Sequence, residues 1–226
     1  MLELISPEKI SHSKWRQRLE KAGIKGGWNY ALDHAWLYEK IDTYISERPD
    51  QTPTILDVGC GNSMLHTFLE EELHLGIIGI DRIYGKCPFN ERDKRMDLCI
   101  NFLANDIFKE NVDIVYWCSS IEHNTIPEIK QCIAKSFEAL KPGGLFIATF
   151  AVSETTHYFQ PAEQTNLSLS DAQVTFRDSF KGETDISIII SEYKKNPFGL
   201  MERHNKRFGT DEIQYIVAAC EQRKDQ

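Results

Sequence analysis

The stretch Thr54–Ser63, TILDVGCGNS, decides the fold: an apolar run ends in an acid, and two glycines follow at once. A short strand over 54–58 that empties into a glycine turn and then a helical segment, Met64–Leu73, is half of a strand–helix–strand unit. The pattern repeats outward. Ile77–Asp81 (IIGID), Val112–Cys118 (VDIVYWC) and Gly144–Phe150 (GLFIATF) are further apolar strands. Between the last two, a helix opening at Pro127 carries Ile129, Ile133, Phe137 and Leu140 toward the sheet. It stops at Lys141-Pro142-Gly143-Gly144, a basic last turn followed by breakers. Unbroken apolar strands alternating with helices predict an α/β chain with a doubly wound, mostly parallel sheet covered on both faces.

The flanks are less regular. Ser6-Pro7-Glu8 has the form of a capped helix start, and the pattern predicts one helix to about Ala22. A second helix, Ala31–Ser46, places Leu32, Trp36, Leu37, Ile41, Tyr44 and Ile45 on a helical face. The linker ERPDQTP (47–53) then divides a helical cap, 1–50, from the main domain, 51–226. Beyond the fifth strand, DAQVTF (171–176) and DISIIISEY (185–193) read as strands, and TDEIQYIVAAC (210–220) reads as a helix. The two strands either complete the sheet or form a β-hairpin lid within 151–209.

The 226-residue chain is large enough for one sizeable core. No apolar run reaches the ~18–20 residues of a spanning helix, and MLELISPEK is too short and charged for a secretory signal. Six scattered cysteines without a C-x-x-C pair suit reduced core thiols and a cytoplasmic protein. A net charge of -8 argues against nonspecific nucleic-acid binding.

In such a sheet the first glycine loop lies where a nucleotide-like cofactor binds, outside the carboxyl ends of the strands. A dinucleotide would want a third glycine where this chain has Met64, and Asp57 would stand uncompensated beside two phosphates. A ligand with an ammonium and no phosphate removes both conflicts. Asp81, 24 positions after Asp57, can accept a ribose diol. Asp97-Leu98 could serve an adenine, as acceptor and packing surface. VDIVYWCSSIEHN runs a buried strand into small polar residues and then Glu122-His123.

Taken in order, ILDVGCGNS, GID, DL, VDIVYWCSSIEHN and EALKPGGLFIATF, spanning Thr54–Phe150, resemble the class I S-adenosylmethionine-dependent methyltransferase family, with its Rossmann-like fold. The resemblance implies S-adenosylmethionine as cofactor. Asp57, Gly59, Cys60 and Gly61 would flank its methionine part, Asp81 with Arg82 its ribose, and Asp97 with Leu98 its adenine. Cys118 and Ser119 would form the floor. It further implies a helix and an antiparallel strand pair after the fifth strand. RIYGKCPFNERDKRM, between Asp81 and Asp97, lacks the helical period the family shows there.

A hydroxyl acceptor needs its proton removed, and His123 is placed to do so, either as base or as a packed histidine. Glu122, the second catalytic candidate beside His123, either contacts the cofactor or caps the following turn. His157 and Tyr158 lie in the lid segment. Lys194, Lys195, Arg203, Lys206 and Arg207 form a basic run, a solvated surface or an anion site. Trp28 and Tyr30 precede the second helix and either pack or close over the cofactor. The magnesium-dependent version of the family wants a carboxylate after the fourth strand, where this chain has Cys118-Ser119-Ser120, so a metal-independent enzyme is expected. The IEHN turn and helical N-terminus are similar to methyltransferases of bacterial glycan and secondary-metabolite pathways, which implies O-methylation of a small, sugar-linked acceptor. The competing readings are an RNA or protein methyltransferase, a non-catalytic cofactor-binding module, and a nicotinamide oxidoreductase.

Overall fold

The computed structural model describes residues 1–22, 30–61, 65–82, 98–160, 163–177, 186–195, 206, 209 and 216–225. Its centre is five parallel strands in the order β4-β3-β2-β5-β6: β2 is Ile55–Val58, β3 Ile77–Asp81, β4 Leu98–Cys99, β5 Val112–Cys118 and β6 Leu140–Ser153. The chain runs outward from β2 through β3 to β4, then returns to lay β5 on the other side of β2. The crevice between the carboxyl ends of β2 and β5 is therefore the switch point where such folds bind ligands. All four residues of β2 are buried, as a strand covered on both faces requires.

Two features close the far side. β9, Ile216–Arg223, runs antiparallel to β6 from Leu145↔Arg223 to Val152↔Ile216. β1, Leu2–Leu4, pairs antiparallel with β9 outside it, so the N-terminus supplies the edge strand. The expected helix over 210–220 is thus a strand for its described part, 216–220. Ile216 to Cys220 are all buried between two neighbours. Ladder pairing and burial override the helix preference of Ala218 and Ala219.

The single N-terminal helix expected to Ala22 is two: α1, Pro7–Ile10, and α2, Lys14–Lys21. Ser13 breaks it by accepting from Trp15 N (3.2 Å) and Arg16 N (3.4 Å), a second N-cap inside the periodic stretch. α3, Tyr30–Ser46, buries Trp36, Leu37 and Ile41 in the core. α4, Leu65–Leu73, follows the glycine loop, and α5, Ile126–Ala139, connects β5 to β6. Thr125 starts α5: its backbone N–H and hydroxyl both donate to Glu128 Oε2, at 2.8 and 2.7 Å.

The segment after β6 departs most from expectation. Residues 171–176 belong to a helix, α6, Leu169–Phe176, and 186–194 to another, α7, Ile186–Lys194. Ser168 accepts from Asp171 N at 3.1 Å and caps α6, whose Phe176 stacks on Phe150 at 4.2 Å between ring centroids. In α7, Ile189 and Tyr193 are buried four residues apart, a helical spacing that outweighs the β-branched composition. A hairpin does follow the fifth parallel strand, but from other residues: β7, His157–Phe159, pairs antiparallel with β8, Gln164–Ser168. β8 also runs parallel to the end of β6 (Val152↔Leu167), past the point where β5 has stopped, so the hairpin overhangs the carboxyl edge.

Candidate functional site

The loop after β2 is strapped to the end of β3. Gly59 N and Cys60 N both donate to Ile80 O, at 2.8 and 3.1 Å, and Gly61 N donates to Asp81 Oδ2 at 2.9 Å. Gly59 (φ +74°) and Gly61 (φ +54°) occupy the left-handed region that side chains disfavour. Their surroundings differ. A Cβ on Gly59 would stand 2.7 Å from Ser120 Cβ, whereas one on Gly61 would meet nothing within 4 Å among the described residues. Gly59 lets the β2 loop close against the turn after β5. Among the described residues, Gly61 faces open space.

Carboxyls gather around that opening. Asp57, in β2, is buried, and burial pushes its pKa up to about 7; a hydrogen bond from Tyr116 opposes the shift and the charge of Asp81 adds to it. Asp81 ends β3 and is 8% exposed. Arg82 reaches across the rim: its guanidinium donates to Asn124 Oδ1 (3.2 Å) and His123 O (2.9 Å), so it braces the turn after β5.

β5 ends in a strained corner. Ser119 has φ +45°, rare for a residue with a side chain; its N–H donates to Thr149 O and Thr149 Oγ1, each at 3.1 Å. Ser119 Oγ donates to Asp33 Oδ2 of α3, and Cys118 Sγ lies 3.4 Å from His34 Nε2. Burial, then the charges of Asp33 and Asp57, hold the Cys118 thiol well above its ordinary range. Glu122 is turned inward and 2% exposed; burial raises its pKa to about 8, and the charge of Asp33 adds to the rise. Asp33 is fully buried, with a pKa raised to about 7 mainly by burial.

His123, by contrast, is exposed, beneath the overhanging hairpin. Its Nδ1 lies 2.9 Å from Glu163 O. A carbonyl can only accept, so Nδ1 carries the proton and, in the neutral ring, Nε2 carries the lone pair. Thr165 Oγ1 donates to Asn124 O at 3.1 Å, a second tie between hairpin and turn.

The structure therefore gathers Asp57, Gly59, Cys60, Gly61, Asp81, Cys118, Ser119 and Glu122 at the carboxyl edge, with Arg82 and His123 on its rim. Leu98 pairs with Ile80 through β4. Asp97, Met64, Trp28, Arg203 and Arg207 lie outside the described residues. Lys194 and Lys195 end α7 exposed. His157 and Tyr158 are in β7; the His157 ring contacts Thr155 O at 2.9 Å, and Tyr158 is 56% exposed. Asp33 and His34 are additions that sequence reading missed. Their signal was there: a polar pair inside the apolar run Leu32 to Leu37.

A strand order that reverses at β2, with a glycine loop and two acids at the reversal, defines a doubly wound cofactor-binding domain of the Rossmann-like class. Residues 56–148 match the family model of a methyltransferase domain. Among solved structures the chain is similar to the [4+2]-cyclase SpnF, at 15% identity over 99% of each chain with a TM-score of 0.57. It is also similar to a SAM-dependent methyltransferase from Archaeoglobus fulgidus, at 12% identity, 93% and 100% coverage and a TM-score of 0.53. A third is a geranyl diphosphate methyltransferase solved with GPP and sinefungin: 14% identity, 82% and 76% coverage, TM-score 0.52. No curated protein sequence matches. By domain match and fold, residues 56–148 resemble a methyltransferase domain, and the chain has the Rossmann-like fold of S-adenosylmethionine-dependent methyltransferases.

Proposed function

We propose that the protein methylates an oxygen of a small acceptor, a sugar or sugar-linked metabolite, without a metal ion. The residues fit the cofactor on two observations. Among the described residues nothing fills the space before Gly61, and the strand leading into the loop carries the buried carboxyl Asp57, a setting that suits an ammonium and repels a pyrophosphate. Bound there, S-adenosylmethionine supplies an already activated methyl group.

In this reading Asp57 and the backbone of Gly59, Cys60 and Gly61 hold the methionine part, Asp81 accepts the ribose hydroxyls, and Asp97 with Leu98 serves the adenine. Arg82 fixes the rim, and Cys118 and Ser119 form the floor. The chain's own work is then to position the acceptor, exclude water and take up a proton. The observation that carries the oxygen assignment is the His123 tautomer. Glu163 O holds the proton on Nδ1, leaving the Nε2 lone pair to receive the hydroxyl proton. Glu122, turned inward one residue before, is reserved for acceptor binding rather than proton transfer. The end of β5 offers a thiol and two hydroxyls rather than a hard carboxylate, which supports metal-independent transfer.

The net charge of -8 favours a small-molecule partner over nucleic acid. No helix among the described residues is long and apolar enough to cross a membrane, and Cys118 and Cys132 are thiols outside any disulfide; we place the enzyme in the cytoplasm. The test is a panel of sugar, sugar-linked, amine, RNA and peptide acceptors scored by S-adenosylhomocysteine release. Turnover confined to hydroxyl acceptors and lost in His123→Ala supports the reading. Turnover only on RNA or peptide, or undiminished in the variant, overturns it.

A further inference from the structure

We infer that Asp33 and Glu122 form a buried subsite for the ammonium group of an amine-bearing small acceptor. The inference deepens the proposed function and rests on it, since it names what else the acceptor carries besides the methylated oxygen. Asp33 comes from α3 and Glu122 from the 3-10 turn Ile121–His123 after β5; Ser119, just before that turn, bonds Asp33 through its hydroxyl, and the charge of Asp33 acts on Glu122, so the two carboxyls are neighbours at the end of β5. Asp33 is fully buried and Glu122 is 2% exposed. Ser119 Oγ engages Asp33 Oδ2, but Asp33 Oδ1 and Glu122 Oε2 are buried oxygens without a hydrogen-bond partner among the described residues.

Two orphaned carboxyl oxygens in one buried corner are costly, because each forfeits its hydration without replacement. Toward the ionised pair, which can only accept, a hydroxyl ligand has one proton to donate and can satisfy one of them. An ammonium has three donors and a positive charge, so it satisfies both and offsets their mutual repulsion. The other groups facing the corner cannot play that part: Ser119 is engaged with Asp33, His34 with Cys118, and the thiol is un-ionised. Burial raises the pKa of Asp33 to about 7 and of Glu122 to about 8, and an entering cation would favour their ionised forms. Asp57 and Asp81 already supply the acids assigned to the cofactor, which leaves this second pair surplus to it. The ligand class is a compact primary or secondary amine, as on an amino sugar or amino alcohol.

The experiment titrates the full chain, with and without saturating S-adenosylhomocysteine, with ethanolamine and with its neutral match, ethylene glycol. Binding is followed by the carboxyl carbon resonances of Asp33 and Glu122 at pH 7. Ethanolamine is expected to bind at least tenfold tighter than ethylene glycol and to move both resonances toward the ionised position. Asp33→Asn and Glu122→Gln should each weaken ethanolamine at least tenfold while S-adenosylhomocysteine affinity stays within threefold. Equal binding of the two probes, or ethanolamine affinity kept in both variants, overturns the inference. So does a tenfold loss of S-adenosylhomocysteine affinity in Asp33→Asn, which would move the corner to the cofactor. If a variant fails to fold, the wild-type resonances decide alone. Failure of the wild type to bind S-adenosylhomocysteine would contradict the cofactor assignment instead, and the titration without it keeps the two failures apart.

Discussion

Replacing Gly59 by alanine should damage the fold more than its size suggests. The residue sits at φ +74°, where a side chain costs about 1–2 kcal/mol. The new methyl would lie 2.7 Å from Ser120 Cβ and 2.9 Å from Ser120 Oγ, so Ser120 must move. Moving it breaks the bond from Ser120 Oγ to Val58 O, 2.9 Å long and worth about 1 kcal/mol. With the residual crowding, Gly59→Ala should lose roughly 2–4 kcal/mol of stability. For a chain of this size that lowers Tm by about 5–15 °C. Gly61→Ala is the matched control. Its φ of +54° carries the same backbone strain, but the methyl meets nothing within 4 Å among the described residues. It should lose only about 1–2 kcal/mol of stability, while S-adenosylhomocysteine affinity falls because the methyl enters the ligand's space. Urea unfolding of the ligand-free proteins separates the terms. A Gly59→Ala midpoint equivalent to within about 0.5 kcal/mol of wild type, well inside the range of neutral surface changes, would refute the close-approach argument.

Other outcomes follow from the same geometry. His123→Ala should reduce kcat by about 10²–10⁴-fold with S-adenosylhomocysteine affinity kept; a loss of only a few fold would reduce the residue to packing. Asp33, Asp57 and Glu122 have folded pKa values raised to about 7, about 7 and about 8, above their unfolded values. Each folded carboxyl therefore holds its proton more tightly, giving stability that is full below about pH 4 and is lost as pH rises through about 7 to 8. The urea midpoint of the ligand-free protein should fall between pH 5.5 and 8, by up to about 1.4 kcal/mol per unit for each group in its window. A flat or rising midpoint would contradict their burial. Tyr193→Phe should cost about 1–3 kcal/mol, because its hydroxyl donates to Ile5 O (3.3 Å) and accepts from Val217 N (3.1 Å), joining α7 to the closing strands; calorimetric unfolding reads the loss.

The parallel centre of the sheet was legible because its strands are buried on both faces and so write themselves as unbroken apolar runs. The glycine loop was legible because its turn needs residues that tolerate positive φ. What followed β6 was not. ISIII (186–190) looks like a strand by composition, and only burial of Ile189 and Tyr193 shows that it winds as a helix. Ser168 and Asp171, whose N–H donates to the serine hydroxyl, form a helix start that the β-branched composition of VTF obscures. β9 owes its state to partners remote in the chain, since Leu2 pairs with Cys220, and no local window contains that fact. At the site, the acids ending strands were found from spacing. Asp33 was not, because its place at the site depends on where α3 docks against the end of β5.

The most direct test of the cofactor seat is calorimetric titration of S-adenosylmethionine into the wild type and Asp81→Ala, with NADH as a second titrant. Asp81 closes the loop through Gly61 N and is assigned the ribose, so its loss should weaken S-adenosylmethionine by about 1.5–3 kcal/mol, roughly 10–150-fold, with NADH showing no heat in either protein. Unchanged affinity in a folded Asp81→Ala, or NADH binding without any response to S-adenosylmethionine, would contradict it.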